Sequence, residues 1–147
     1  MSADAVHTEQ RFPLTLLGVR EARHWVRGVL AAMHVDRADL DRVAVAVSEL
    51  AVNLIEHARA EDSEFSLSIR DVANSAAVDL RAMSRSFASL DEFRAAARAP
   101  EDLDPLAEGG RGVYIVLHYF PDVQYAPSPS AAEPEVYTLR VPRLQPA

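Results

Sequence analysis

Apolar side chains at Val19, Ala22, Val26, Val29, Leu30 and Met33 repeat at the three-and-four spacing of one helix face. They predict a helix over residues 18–35. A second, longer helix is predicted over 36–60, with Asp36 or Asp39 as its N-cap. The period then switches to two. "EFSLSIRDV" and "SAAVDLRAM" alternate on either side of "VANSA", which predicts an antiparallel hairpin over about 64–71 and 76–83. "RFPLTLL" at 11–17 reads as a first strand, and Pro13 places it at a sheet edge, because proline cannot donate to a ladder. "SLDEFRAAAR" reads as a short helix capped by Ser89, and "RGVYIVLHYF" as another helix. "DVQYA" and "PEVYTLRVP" read as two closing strands around a Pro/Ser/Ala-rich turn expected to be mobile. The acidic stretch "APEDLDPLAEGG" at 99–110 reads as a loop. The order β–α–α–β–β–α–loop–α–β–β predicts an α+β two-layer sandwich, a mixed and mostly antiparallel sheet covered on one face by helices.

Composition narrows the classes. A chain of 147 residues suits one domain over 1–147, with ends expected to be disordered at about 1–8 and 143–147. There is no cysteine, hence no disulfide framework and no thiolate metal site. No apolar run approaches membrane-spanning length, and the first residues lack a secretory signal pattern, so a cytoplasmic protein with no membrane partner is expected. The net charge of −7 disfavours direct nucleic-acid binding, which needs a basic footprint. All 15 basic residues are arginine, so any phosphate ligand must be arginine or backbone N–H. His24, His34 and His118 are scattered without metal-ligand spacing, and Trp25 reads as core or dimer packing.

The unusual chemistry lies in "VAVSELAVNLIEHARA". On a helical wheel Arg42, Glu49, Asn53, Glu56 and His57 share one arc of roughly 100°. Val43, Val47, Leu50 and Leu54 form a second face, and Val45, Val52 and Ile55 a third side. A polar stripe that narrow has two readings: the solvated side of an amphipathic helix, or a built site. A second cluster stands in "EGGRGVYIV", with Gly109, Gly110 and Gly112 between the acidic loop and an apolar helix. Glycines there let backbone N–H groups approach an anion at a helix N-terminus; they also occur as ordinary loop punctuation.

Taken together and in this order, "ELAVNLIEHA" resembles the N-box of the Bergerat-type ATPases, the histidine-kinase-like ATP-binding fold, and "GGRGVYIV" resembles that fold's second glycine box. The spacing E-x-x-x-N-x-x-x-H-A and the short length are most similar to the bacterial anti-sigma-factor serine/threonine-protein kinases. The resemblance covers about residues 11–142. It implies that Asn53 holds Mg²⁺ through its amide oxygen beside ATP, and that Glu49 orients or deprotonates an attacking hydroxyl. It further implies that His57 lies near the nucleotide, and that Gly110 and Gly112 close on the phosphates with 99–109 as a lid. Arg111 is either added positive charge near the γ-phosphate or a surface arginine. The implied partners are an antagonist protein of the anti-anti-sigma type and a sigma factor or similar regulator. A homodimer is also implied.

The pattern breaks at the first glycine box. Members of this family carry an aspartate that accepts from the adenine amino group, followed by a glycine that lets the base pack closely. Aligned on Phe87, those positions hold Ala82 and Ser84. Asp79, three residues away, falls on the opposite face of a strand and cannot substitute. Two explanations stand at this point: weakened or altered nucleotide binding, or a protein-binding module that has lost catalysis.

Overall fold

The computed structural model describes residues 6–57, 64–98 and 111–144. Strand β1 runs Val6–Pro13, and helix α1 follows at Leu16–Ala32. Helix α2 spans Arg37–His57. The hairpin is β2, Glu64–Val72, and β3, Ser75–Ala82. Helix α3 is Leu90–Ala95 and α4 is Arg111–Tyr119. Strands β4, Gln124–Ala126, and β5, Glu135–Pro142, close the chain. The element order matches the expectation. The loop expected at 99–110, Gly109 and Gly110 lie outside the described residues.

The five strands form one sheet in the order β1-β2-β3-β5-β4, antiparallel at every described pairing. Strand β1 is an edge, as Pro13 required. Its extent differs from the expected 11–17. The strand stops at Pro13, and Thr15 caps α1 by accepting from the Gly18 N–H at 3.0 Å. Leu14–Leu17 are apolar enough to pass for strand, but the Thr15 cap claims the chain for the helix two residues earlier than periodicity alone suggests. At α2 the cap is Asp36, whose Oδ2 accepts from the Ala38 N–H at 3.1 Å. Ser89 caps α3 as expected, accepting from the Glu92 N–H at 3.1 Å.

Alternation decides which face of the sheet is buried. Phe65, Leu67 and Ile69 of β2 share a face with Val78, Leu80 and Ala82 of β3 and with Tyr137, Leu139 and Val141 of β5. All nine are buried, and the helices cover them. Val43, Val47, Leu50 and Leu54 of α2 are buried in this core, while Val45, Val52 and Ile55 are half-buried. Trp25 packs edge-to-face on Phe12 at 5.8 Å, a core role as expected. The opposite face is polar. There Asp79 binds Arg70 Nε at 2.6 Å and the Thr138 hydroxyl at 2.6 Å, so it does lie on the far side from Ala82.

The ends differ from expectation. Residues 6–8 belong to β1. The Arg143 guanidinium donates to the Met33 carbonyl at 2.9 Å, and the Leu144 N–H to the His34 carbonyl at 2.7 Å. The Pro/Ser/Ala-rich turn is likewise tied by Ser128, whose hydroxyl donates to the Ser130 and Glu133 carbonyls at 2.5 and 2.6 Å. Among the described residues no helix is long and apolar enough to cross a membrane.

Candidate functional site

The polar stripe of α2 divides along its length. Arg42 is exposed and paired with Asp39 at 3.0 Å, one turn back, so it serves the surface of the helix. Glu56 is exposed. His57 ends α2, and its side chain is outside the described part. Glu49 and Asn53 are half-buried and one turn apart. The stripe is therefore not a solvated face throughout: its middle is covered by α4, which packs on α2.

The two motifs meet where α4 begins. A methyl group placed on Gly112 would stand 2.7 Å from Oε2 of Glu49 and 3.5 Å from its Cβ. Glycine here lets the first turn of α4 lie against the carboxylate, and an added methyl would displace the end of the Glu49 side chain. The contact joins the two halves of the resemblance, the N-box glutamate and the second glycine box, across 63 residues of sequence. Arg111 is exposed at the same helix start. Beside them the Asn53 amide nitrogen is buried with no hydrogen-bond partner among the described residues. An unpaired buried amide is costly, by roughly 1–3 kcal/mol, and native proteins keep few of them.

These groups fit the phosphate and metal end of a nucleotide site. The Asn53 amide offers one oxygen and one N–H₂ that the described residues leave unused on its nitrogen side. No group of three or more His, Asp or Glu among the described residues could hold a metal ion by itself. Any divalent ion at Asn53 would therefore need phosphate oxygens and water to complete its shell, as Mg²⁺ with a nucleotide does.

A second cluster of polar groups lies where β3 ends beside β5. Ala82 is buried, and its register partner on β5 is Glu135. The Glu135 carboxyl is completely buried. It accepts from the Ser84 hydroxyl, from the Ser86 N–H at 3.2 Å, from the Ser86 hydroxyl at 3.1 Å and from the Tyr125 hydroxyl at 2.9 Å. Phe87, Phe93, Tyr125 and Tyr137 wall this cluster, with Tyr125 and Tyr137 ring centroids 4.7 Å apart. Ser84 and Ser86 stand in the degenerate glycine-box segment as possible weaker acceptors of a base, but here they donate to Glu135; Glu135 and Tyr125 are not marked by any motif. One sequence signal did exist: in "EVYTLRV" Glu135 is in phase with Tyr137, Leu139 and Val141, the inward set.

Burial, and after it the nearby Glu135 carboxyl, pushes the Tyr125 hydroxyl far above the ordinary tyrosine range. Burial does the same to Tyr137. Folding thus binds both protons more tightly than the unfolded chain does. Their stabilisation is complete below the unfolded tyrosine pKa of about 10 and is lost as pH rises beyond it. Denaturation midpoints should hold from neutral pH to about 9 as far as these groups are concerned, then fall. Tyrosinate absorbance from Tyr125 and Tyr137 should appear only together with unfolding; its appearance in a folded chain would contradict this.

Comparison with known proteins agrees with the geometry. No curated protein matches the chain. The RsbU and RsbW domains of Rv1364c from Mycobacterium tuberculosis superpose with a TM-score of 0.59 at 16% identity, over 95% of this chain and 34% of that one. This chain thus spans about a third of that protein's length. The SiaB–SiaC complex from Pseudomonas aeruginosa superposes with a TM-score of 0.56 at 13% identity, over 92% of this chain and 89% of the matched one. At such identities the likeness is one of fold. The histidine kinase-like ATPase domain, in contrast, matches in sequence over residues 12–134. That match covers most of the chain, and the protein belongs to the histidine kinase-like ATPase domain family.

Proposed function

We propose that this protein is a regulator of the anti-sigma type that binds ATP with Mg²⁺, phosphorylates a serine or threonine of a small antagonist protein, and sequesters a sigma factor or similar regulator in the cytoplasm. The observation that carries the reading is the assembled phosphate end, with Glu49 packed on Gly112 and the Asn53 amide nitrogen left unpartnered among the described residues. Glu49 takes the proton of the incoming hydroxyl, whose oxygen forms a bond to the γ-phosphorus as the bond to the β,γ-bridging oxygen breaks and ADP leaves. Asn53 positions the phosphate chain, Gly110 and Gly112 give it close backbone approach, and Arg111 offers positive charge. His57 borders the nucleotide. Mg²⁺, when bound, neutralises charge between the β- and γ-phosphates. A homodimer through β1 and α1 would cover Leu16 and Leu17, which are 73% and 61% exposed.

A second reading is favoured by the residues around Ala82. Ala82 offers no acceptor to a base, and the neighbouring Glu135 is fully engaged. In that reading the fold acts as a protein-binding module without phosphoryl transfer. Calorimetric titration with ATP and Mg²⁺ separates the two. Micromolar binding that weakens at least tenfold in Asn53→Ala is the expected result. No heat at millimolar ATP from folded protein would sink the kinase reading and leave the module.

A further inference from the structure

Glu135 stands on β5, paired with Ala82 on β3, the position where the family resemblance implies a base-binding carboxylate. Directly opposed residues of an antiparallel pair lie about 4.5–5.5 Å apart at Cα. A carboxyl is therefore present at the place where the family resemblance expects one, supplied by the neighbouring strand. Its surroundings decide what it can do. A carboxyl has about four lone-pair directions. The Ser84 hydroxyl and the Ser86 N–H and hydroxyl converge on Oε2, and the Tyr125 hydroxyl lies 2.9 Å from Oε1, so both carboxyl oxygens have partners. The Tyr125 hydroxyl is itself fixed, since it also lies 2.9 Å from the Phe87 carbonyl and accepts from the Phe87 N–H at 3.2 Å. The carboxyl has no exposed surface, and aromatic rings close it off on the core side.

We propose that Glu135 is a self-satisfied acceptor that replaces base recognition, so that the nucleotide site reads the phosphate chain and not the base. This rests on the phosphate-end reading above and deepens it: the ligand class is a nucleoside triphosphate without preference for adenine. A base amino group could reach Glu135 only by displacing a serine hydroxyl, exchanging one hydrogen bond for another with no gain. Selectivity requires that the wrong base leave a partner unsatisfied, and here no base does. The serines are as much a part of this arrangement as the carboxyl. Side chains at 84 and 86 donate where the family has glycine at the first of these positions.

The test is calorimetric titration of the full chain with ATP, GTP and tripolyphosphate in Mg²⁺, for the wild type and for Ser84→Gly/Ser86→Gly. The wild type should bind ATP and GTP within about threefold of each other. The double variant removes both hydroxyls and leaves Glu135 with two fewer donors. It should prefer ATP to GTP by tenfold or more. Ser84→Gly alone removes one donor and serves if the double variant does not fold, with a smaller preference in the same direction. A wild type that prefers ATP tenfold or more overturns the proposal, as does a folded variant that shows no preference for ATP. A wild type silent to all three ligands, with a variant that gains ATP binding, sinks the phosphoryl-transfer reading and upholds the role of Glu135.

Discussion

Replacing Glu135 by alanine should lower stability by roughly 3–5 kcal/mol, a loss of about 10 °C or more in Tm. The carboxyl is completely buried, and its donors are held in place by β5, by the segment after β3 and by the Tyr125 ring. Truncation leaves the Ser86 N–H and two hydroxyls without their acceptor in a site closed to water. Each such group costs about 1–3 kcal/mol, and the cavity adds to this. Tyr125 retains the Phe87 carbonyl, so its loss is the smallest of the set. Glu135→Gln keeps one carbonyl acceptor and the shape, and should lose roughly half as much. Chemical denaturation of the three proteins decides the point. A Glu135→Ala protein within about 1 kcal/mol of wild type would mean that the cluster is idle, and the proposal of a self-satisfied acceptor would fall with it.

Gly18→Ala should cost about 3 kcal/mol or more, against the ordinary gain of up to about 1 kcal/mol for removing a glycine from a helix. The reason is a single close approach. A methyl group on Gly18 would stand 1.8 Å from the Pro13 carbonyl oxygen and 2.9 Å from its carbon. These are backbone atoms, and the same oxygen accepts from the Thr15 N–H at 2.9 Å, so it cannot swing aside. The helix start would have to move away from the end of β1, taking the buried Val19 and Ala22 with it. Gly28 is the control. It is exposed on the same helix, with nothing within 4 Å of an added methyl, and Gly28→Ala should stabilise by about 0.5–1 kcal/mol. Equal effects of the two substitutions in a denaturation series would show that packing at the junction of β1 and α1 is not what requires Gly18.

The two strongest mutational expectations fall at places of different legibility. Gly18 lies where the sequence reads ambiguously, since "PLTLLGV" is apolar throughout and its boundary is set by one hydroxyl on one N–H. Periodicity has nothing to count over so short a span. Glu135 stands in a clean strand, and only its inward phase marks it. The N-box half of the site was legible for the opposite reason: Glu49 and Asn53 are four residues apart on one helix, and helical geometry brings them together whatever the rest of the chain does.

By itself the sequence determined the order of the elements, the edge position of Pro13, the inward faces of α2 and the hairpin, and the polar stripe of Glu49 and Asn53. These are local properties, carried by the 3.6 and 2.0 periods and by the cap at Ser89, while the choice of Asp36 over Asp39 as the α2 cap came from the structure. Only the tertiary structure decided the rest. Docking of α4 on α2 placed Gly112 against Glu49, and pairing of β5 with β3 placed Glu135 opposite Ala82. Both contacts join residues more than fifty positions apart, so no period or motif encodes them. The acceptor missing at Ala82 is present one strand away because strand order is set by how the sheet packs beneath its helices, and that choice is made by the whole core at once.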